Sequence, residues 1–404
     1  MRGERKLKTD ILIVGAGIIG LSTAYHLSEK FRDRKIIVLD KEGEAAKHQT
    51  GHNSGVIHSG IYYKPGSYKA RFARSGSRSM MAFCDKHNID YSQCGKVIVA
   101  TDEEEIPRMK KLYERGLENQ LDVKLLNGYE VREIEPFVNT AGGILVKNTG
   151  IVDFKAVTEK FGELFEQNGG EIHYNTSVEY VTEEDGRITA GTDAVQYQTD
   201  YLINCAGLYS DKLAKMSGVD TDVKIIPFRG EYFKLHESVE HYVKTLVYPV
   251  PNPELPFLGV HFTNMVGGGV DVGPNAVLGF RKEAYRKLGF HFEETREILT
   301  FPGLYRMGLK NIKEAVGEYY RSFNKKAFVK EARKLVPLLK EGDIQPMEAG
   351  VRAQAMKPDG SMLDDFHFEE NARSLHVLNA PSPAATCSIE IGREIVERFA
   401  KKIR

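Results

Sequence analysis

The sequence predicts an α/β fold in two parts: a Rossmann-like unit on a parallel sheet, and an α+β unit built on an antiparallel sheet. A glycine-rich turn, Gly15 to Gly20, lies between an apolar run and a helical pattern, and a second apolar run ends at Asp40. Continuous apolar runs are typical of parallel strands that are buried on both faces. After Gly218, short strand-like segments replace the alternation of strands and helices, which predicts the second unit.

The predicted elements begin with one βαβ unit. "DILIVGAG" is predicted to be a buried strand, "IIGLSTAYHLSEKF" a helix with one apolar face, and "KIIVLD" a second buried strand. A helix is predicted over 71–87, and an amphipathic helix ends at Gly169–Gly170, a suitable C-cap. Further strands are predicted in "YLINCAG" and around Ile172, Val178, Ile188 and Val195.

The second half of the chain completes both units. "KIIPFRGEYFKLH", "TLVYPVP" and "FLGVHFT" are predicted to form the antiparallel sheet, whereas "SLHVLNA" is a strand followed by a Ser-Pro turn and a last helix. This order predicts a discontinuous nucleotide-binding domain over 1–90, 148–218 and 342–404. The second domain takes 91–147 and 219–341, and it includes a basic helical region at 282–340.

The glycine-rich turn carries the clearest binding motif. Gly15-Ala-Gly17-Ile-Ile-Gly20 follows a buried strand and opens a helix at Ile18, which is the context of a dinucleotide site. The glycines permit a tight turn and close approach to a pyrophosphate, and the helix N-terminus offers N–H groups to it. Asp40, followed by Lys41, ends the second strand, where an acid accepts hydrogen bonds from ribose hydroxyls. The motif alone does not distinguish FAD from NAD.

Composition and charge exclude other classes of protein. The 404 residues are 41% hydrophobic and 28% charged, as in a globular protein with more than one domain. Lys plus Arg equals Asp plus Glu, at 56 each, so nothing indicates nucleic-acid binding. The cysteines form no CxxC pair and no zinc-like spacing, so we predict free thiols and no metal site. The first apolar run is too short for a membrane span of about twenty residues.

Residues 50–67, "TGHNSGVIHSGIYYKPGS", carry an unusual load of glycine, histidine, hydroxyl groups and tyrosine. Glycines there let the backbone approach a cofactor, and Asn53 and Ser54 can hydrogen-bond its oxygens. This stretch resembles the FAD-dependent L-2-hydroxyglutarate dehydrogenase/oxidase family, which belongs to the D-amino-acid-oxidase-like (DAO-like) flavoproteins with a glutathione-reductase-type FAD-binding domain. The resemblance covers nearly the whole chain and includes "VDFKAV", "NCAGLYSD", "PFRGEY", "GPNAVLGFRKEAY", "AGVRAQA" and "LHVLNAPSPAATCSI".

The resemblance implies an activity. Members oxidise L-2-hydroxyglutarate to 2-oxoglutarate by hydride transfer to N5 of a non-covalently bound FAD, and electrons pass to oxygen or a quinone-type acceptor. The sequence shows no mitochondrial presequence, so it resembles a bacterial or archaeal member, and we expect a cytoplasmic protein. The FAD contacts that the resemblance implies, beyond those of the glycine-rich turn, are Thr50, Gly51, His52, Asn53, Ser54, Gly55, Val178, Ala206, Gly207, Gly350, Arg352, Ser382, Pro383, Ala384 and Ala385.

The chemistry needs a base and two cationic clamps. Histidine suits proton removal from a hydroxyl group at neutral pH, and the candidates are His58, placed first, with His52 and His261. Arginine binds carboxylates with two hydrogen bonds, which suits a dicarboxylate. The substrate-binding candidates are Arg229, Arg281, Arg352, Tyr62 and Tyr63. Each of these side chains could equally have a structural role.

Two other functions remain open at this level. The same fold oxidises glycine, sarcosine or glycerol 3-phosphate, and an amine oxidase needs one carboxylate clamp rather than two. A flavoprotein without turnover, attached to a membrane, is a more remote alternative. The basic region carries fourteen Lys or Arg against seven Asp or Glu. Basic amphipathic helices bind anionic membranes, so the region either contacts the inner face of a membrane or covers the substrate pocket as a solvated subdomain.

Overall fold

The computed structural model describes residues 5–253, 258–310 and 312–402. Residues 1–4, 254–257, 311 and 403–404 lie outside the described residues, and these include the first residue of the predicted strand "FLGVHFT" and one residue of the basic region 282–340. The strands of the described part are β1 (Arg5–Val14), β2 (Ile36–Leu39), β3 (Val56–Ile57), β4 (Tyr91–Ser92), β5 (Lys96–Ala100), β6 (Val123–Asn127), β7 (Gly142–Val146), β8 (Gly150–Val152), β9 (Glu171–His173), β10 (Tyr180–Glu184), β11 (Arg187–Gly191), β12 (Val195–Asn204), β13 (Lys224–Gly230), β14 (Phe233–Leu235), β15 (Leu246–Pro249), β16 (His261–Asn264), β17 (Val270–Gly273), β18 (Val277–Leu278), β19 (Ile344–Pro346), β20 (Gly350–Met356), β21 (His367–Glu370) and β22 (Ser374–Asn379).

The helices alternate with strands in the first half of the chain and cluster after residue 290. Those described are α1 (Ile18–Lys30), α2 (Tyr68–His87), α3 (Ile106–Glu118), α4 (Gly128–Ile134), α5 (Phe154–Gln167), α6 (Ser210–Met216), α7 (Phe292–Leu299), α8 (Pro302–Lys310), α9 (Ile312–Phe323), α10 (Lys325–Ala332) and α11 (Ser388–Lys402). None of the described helices has the length and apolar composition to cross a membrane.

The first sheet is the Rossmann-like core. Its strand order is β10-β11-β12-β1-β2-β9, and β22 and β21 extend it from β12. β1 pairs in parallel with both β12 and β2, so these strands end at one edge of the sheet. Ile11 and Ile13 of β1 pack in the cluster that includes Leu21 of α1, whereas Leu12 packs with Ile37 in another cluster. The apolar run is continuous because both faces of the strand are covered.

The second sheet is mostly antiparallel, in the order β19-β14-β17-β16-β15-β5-β7-β6. One pair departs from the predicted antiparallel arrangement: β15 and β5 run parallel, with Leu246 opposite Lys96. Val97 and Val99 of β5 pack in one core cluster, and Ile98 packs in another. Both faces of this sheet are therefore buried at its centre.

Two three-stranded sheets join the larger ones. β3 and β4 both pair with β8, and β13 pairs with β18 and β20. The predicted domain division stays a proposal, and we propose one adjustment to it. The third nucleotide-binding segment begins after residue 356 rather than at 342, since β19 pairs with β14 and β20 pairs with β13. One predicted strand is also displaced, because Val178 lies in the irregular segment between β9 and β10.

Candidate active site

A cavity of about 1390 Å³ runs from the edge where the parallel strands end to the second sheet. Gly15 and Asp40 line one part of it, and Tyr248 and His261 line another. Binding sites for a single small ligand have volumes of roughly 300–1,000 Å³. The cavity is therefore large enough for a dinucleotide together with a small substrate.

The glycine-rich turn forms the wall at the end of β1. Gly15 has φ 111°, and a Cβ atom there would lie 2.3 Å from the backbone oxygen of Cys205. A Cβ atom on Gly20 would lie 1.8 Å from the oxygen of Gly15, so neither position accepts another residue. Gly17 and Ile18 line the cavity at the start of α1. The helix N-terminus thus faces the cavity, which suits a phosphate group.

Asp40 connects the second strand to this turn. One carboxylate oxygen accepts a hydrogen bond from Ala16 N–H at 2.6 Å, and the other accepts from Glu42 N–H at 2.9 Å. Asp40 and Lys41 both line the cavity, and Lys41 Nζ lies 2.7 Å from the Glu283 carboxylate. The acid therefore occupies the strand-end position that binds ribose in dinucleotide folds.

The loop at 50–55 packs against the start of α1. Thr50 Oγ1 accepts a hydrogen bond from Ile18 N–H at 3.1 Å. Asn53 Nδ2 donates to Thr50 O at 2.6 Å, and Asn53 Oδ1 accepts from Gly55 N–H at 2.8 Å. Thr50, Asn53 and Ser54 line the cavity, whereas the predicted cofactor contacts Gly51 and Gly55 are not among its lining residues. A Cβ atom on Gly55 would lie 2.8 Å from the Val152 oxygen, so this glycine serves packing.

The turn before α11 reaches the same cavity from the other end of the chain. Ser382, Pro383, Ala384 and Ala385, for which the resemblance implies cofactor contacts, line it. Thr386 Oγ1 accepts a hydrogen bond from His58 N–H at 3.0 Å and donates to the Val56 oxygen at 3.2 Å. This hydroxyl group joins the last turn to the segment that carries His58.

The remaining predicted cofactor contacts also border the cavity. They are Val178, Ala206, Gly207, Gly350 and Arg352. A Cβ atom on Gly350 would lie 2.7 Å from the oxygen of His52, so two backbone segments approach closely here. His52 itself lines the cavity, with Nδ1 2.9 Å from the His48 oxygen and Nε2 3.3 Å from Glu348.

Two of the three candidate bases lie near a common positive charge. His58 and His261 line the cavity, and burial lowers the pKa of each to about 3. The Lys96 ammonium group contributes to both shifts, and Arg352 contributes to that of His261. The His261 ring stacks on Tyr248 with 4.0 Å between ring centroids. Both imidazoles are therefore neutral at physiological pH, as proton acceptors must be.

The predicted substrate contacts separate into two groups. Tyr62, Tyr63 and Arg352 line the cavity. Arg229 and Arg281 lie outside the lining: Arg229 is buried and donates to the Glu231 carboxylate, and Arg281 lies 3.5 Å from Glu283. Since both carboxylates neutralise them locally, neither arginine is placed to clamp a ligand in this cavity.

Sequence reasoning missed several lining residues and one residue behind them. Three basic side chains of α3, Arg108, Lys111 and Arg115, border the cavity, as do Tyr232 and Tyr248. Lys96 lies behind Tyr62 and Tyr248 and is 1% exposed. Its signal in the sequence is a lysine that opens the otherwise apolar strand "KVIVA".

Comparison with known proteins identifies the family. The profile described as "DAO: FAD dependent oxidoreductase" matches residues 10–398. The chain belongs to this family. The L-2-hydroxyglutarate dehydrogenase of Escherichia coli (strain K12) is 46% identical over 390 residues, which cover 96% of this chain and 92% of that protein. The L-2-hydroxyglutarate dehydrogenase of Indibacter alkaliphilus is 46% identical over 394 residues, which cover 97% of this chain and 99% of that protein.

A solved structure has the same fold. The L-alpha-glycerophosphate oxidase of Mycoplasma pneumoniae with FAD bound has a TM-score of 0.81 and 24% identity, covering 98% of this chain and 95% of that chain. This FAD-dependent oxidoreductase therefore shares the DAO-type fold, as the sequence predicts. The resemblance noted from residues 50–67 is confirmed by the family match and by the two bacterial relatives.

FAD fits the residues that are present. Gly17 and the start of α1 line the cavity, and a glycine at this position lets a pyrophosphate approach the backbone. Asp40 stands at the ribose position, and the turn 382–385 lies at the start of the last helix. Cys387, a conceivable attachment point, is fully buried, and burial raises the pKa of its thiol well above the ordinary value. An inert thiol suits non-covalent binding of the cofactor.

Proposed function

We propose that this FAD-dependent oxidoreductase oxidises L-2-hydroxyglutarate to 2-oxoglutarate. The observation that carries the proposal is one cavity in which the dinucleotide-binding turn, two neutral histidines and Arg352 meet. The names of the two bacterial relatives support the choice of substrate. FAD, when bound, accepts the hydride from the hydroxyl-bearing carbon. The protein binds and orients the substrate and removes the hydroxyl proton.

We place His58 as the base that takes this proton. Its backbone N–H is held by Thr386, which fixes the segment beside the cofactor-binding turn. In the free cavity, burial, Lys96 and His261 all disfavour the imidazolium form. A bound dianion adds negative charge nearby, which favours protonation of the ring at the moment when the base is needed. His261, stacked on Tyr248, is the second candidate.

We place Arg352 as the clamp for one carboxylate of the substrate. It borders the cavity in β20, opposite Phe228 of β13, and its positive charge acts on His261. A guanidinium group binds a carboxylate with two parallel hydrogen bonds, which fixes orientation as well as affinity. Of the three candidate arginines, it is the one that lines the cavity.

The decisive experiment is anaerobic reduction of the purified protein. We expect the visible absorbance of oxidised flavin to bleach on addition of L-2-hydroxyglutarate and to persist with D-2-hydroxyglutarate. Glycine and glycerol 3-phosphate, the substrates of the alternative functions, serve as controls. A protein without flavin, or one that glycine alone bleaches, would refute the proposal.

We also propose that the basic helical region lies on an anionic membrane surface. Several large apolar side chains of this region are more than half exposed to solvent. These are Leu288, Phe290, Phe292, Tyr305, Leu309, Ile312, Val316, Tyr320 and Phe323. The surrounding sequence, 282–340, carries fourteen basic and seven acidic residues. Apolar side chains among basic ones match the acyl chains and headgroups of an anionic bilayer. Such contact suits transfer of electrons to a quinone-type acceptor, the alternative being oxygen.

Vesicle sedimentation tests this surface. The holoprotein should bind vesicles of phosphatidylglycerol and phosphatidylcholine more strongly than vesicles of phosphatidylcholine alone, and salt should weaken binding. The double variant Phe290→Ser/Phe292→Ser should lower binding about tenfold or more, because two exposed rings lose their apolar contact. Tyr129→Ser, at a position 68% exposed on α4, is the matched control. Equal binding by all three proteins would rule the surface out.

A further inference from the structure

Lys96 is a buried cation whose role the proposed chemistry leaves open. It opens β5 and is 1% exposed. Its ammonium group lies 4.6 Å from the ring centroid of Tyr62 and 4.8 Å from that of Tyr248. Within residues 5–253, 258–310 and 312–402, no carboxylate forms a salt bridge with it. Among the described residues, the faces of these two rings are thus its partners.

This arrangement is costly for folding. Burial lowers the pKa of Lys96 to about 7, which records how poorly the site accommodates the charge. Contacts with two aromatic faces offset part of the desolvation, but an apolar side chain of similar length would fill the same space without it. By contrast, the buried Lys282 lies 2.7 Å from Asp211. An anion bound in the cavity near Lys96 would favour its ammonium form, as Asp211 favours that of Lys282.

The cavity wall shows where that anion would be. Tyr62 and Tyr248, which sandwich the ammonium group, both line the cavity. The Tyr62 hydroxyl group is buried and has no hydrogen-bond partner among the described residues. Tyr248 also stacks on His261. Lys96 therefore lies one layer behind the part of the cavity where the proposed base and the substrate meet.

We propose that Lys96 is a positioning residue that determines specificity, its ammonium group supplying the positive charge by which the cavity selects a dicarboxylate over a monocarboxylate. The charge acts through the Tyr62 and Tyr248 rings, and the Tyr62 hydroxyl group donates to one carboxylate. Beside the clamp Arg352, this lysine then supplies a second positive charge for a dicarboxylate from behind the cavity wall. The inference rests on the proposed function, since it names what selects the substrate of that same cavity.

The test compares Lys96→Met with the wild-type holoprotein. Methionine has a similar length and no charge, and Lys96→Arg keeps the charge. Lys124→Met removes an exposed lysine from β6 of the same sheet and serves as the matched control. Calorimetry gives the dissociation constants of 2-oxoglutarate and of the monocarboxylate 2-oxobutyrate, and the ratio of the two measures selectivity. Thermal unfolding and flavin content are followed in parallel.

We expect Lys96→Met to lower the selectivity ratio about tenfold, as loss of one charge interaction in a partly screened site would. Its melting temperature should equal or exceed that of the wild type, because an unpaired buried charge has been removed. Lys124→Met should leave the ratio unchanged, and Lys96→Arg should retain most of it.

Two results would overturn the inference. One is an unchanged ratio in Lys96→Met. The other is a changed ratio together with a clearly lower melting temperature and loss of flavin, which is the signature of a packing role. Failure of the proposed function is a separate observation, since the wild type would then not be bleached by L-2-hydroxyglutarate at all.

Discussion

Single residues set the protonation states of the site. His58 and His261 are predicted from the sequence as candidate bases, and the structure places both at the cavity. Their pKa values fall to about 3 chiefly through burial, which no residue pattern reveals. For Lys96, the sequence shows a lysine in an apolar strand, but only the structure shows its two aromatic partners.

The assignment of His58 as base predicts the effect of its removal. His58→Asn should slow flavin reduction by L-2-hydroxyglutarate about a hundredfold or more, since a positioned base contributes this much. FAD should remain bound, because the glycine-rich turn is untouched. Stopped-flow measurement of reduction under anaerobic conditions gives the rate.

Three further variants separate the candidates. In His236→Asn, a variant at an exposed position, L-2-hydroxyglutarate should reduce the flavin at the wild-type rate. If His261→Asn or His52→Asn slows reduction more than His58→Asn does, the proton goes to that histidine instead.

Secondary-structure elements were predicted best where the apolar pattern is long. The predicted βαβ unit that ends at Asp40 agrees with β1, α1 and β2. A long, continuous apolar run is a strong indication of a strand that is buried on both faces between helices. Shorter segments were less informative. Val178 lies in an irregular segment, and β15 pairs in parallel with β5, since strands of a few residues take their partners from the surrounding sheet.

Loops at the element scale carry most of the site. The loop 50–55, the turn 382–385 and the segment around Ala206 all lie where parallel strands end, the edge at which open α/β sheets bind ligands. Thr386, which directly follows the turn 382–385, hydrogen-bonds to Val56 and His58, which follow the loop 50–55. Glycine, serine and proline in the sequence indicate such loops, but only the hydrogen bonds show which of them meet.

At the scale of the whole molecule, neutral histidines in buried or half-buried positions make stability depend on pH. Burial lowers the pKa of His58 and His261 to about 3, and that of His26 and His376 to about 4, from the ordinary value of 6.5. The unfolded chain binds protons at these side chains below pH 6.5, and the folded chain does not. Stability is therefore complete above 6.5 and is lost as pH falls towards 4.

The holoprotein should lose about 1 kcal/mol of unfolding free energy per histidine between pH 6.5 and roughly 5.5. Burial raises the pKa of Asp271 to about 7 and also raises that of Glu135. Protonation of these two carboxyl groups therefore stabilises the folded chain as the pH falls, which opposes the effect of the histidines. Four histidines outweigh two carboxyl groups, so the net change is a loss. Urea unfolding at the two pH values measures it, and unchanged or greater stability at the lower pH would contradict it.

The sequence by itself determined the dinucleotide-binding unit, the family and the list of loops that carry chemistry. The unit and the loops follow from local rules: apolar period, glycine spacing and the residue types that a reaction requires. The family follows from the resemblance of residues 50–67 and several other segments. The tertiary structure decided which arginine borders the cavity, which cations are already paired and which histidines are neutral. The physical reason is that ion pairing and desolvation depend on neighbours from distant segments, such as Lys96, His261 and Arg352. These come together only when the second sheet and the three-stranded sheet of β13, β18 and β20 have formed.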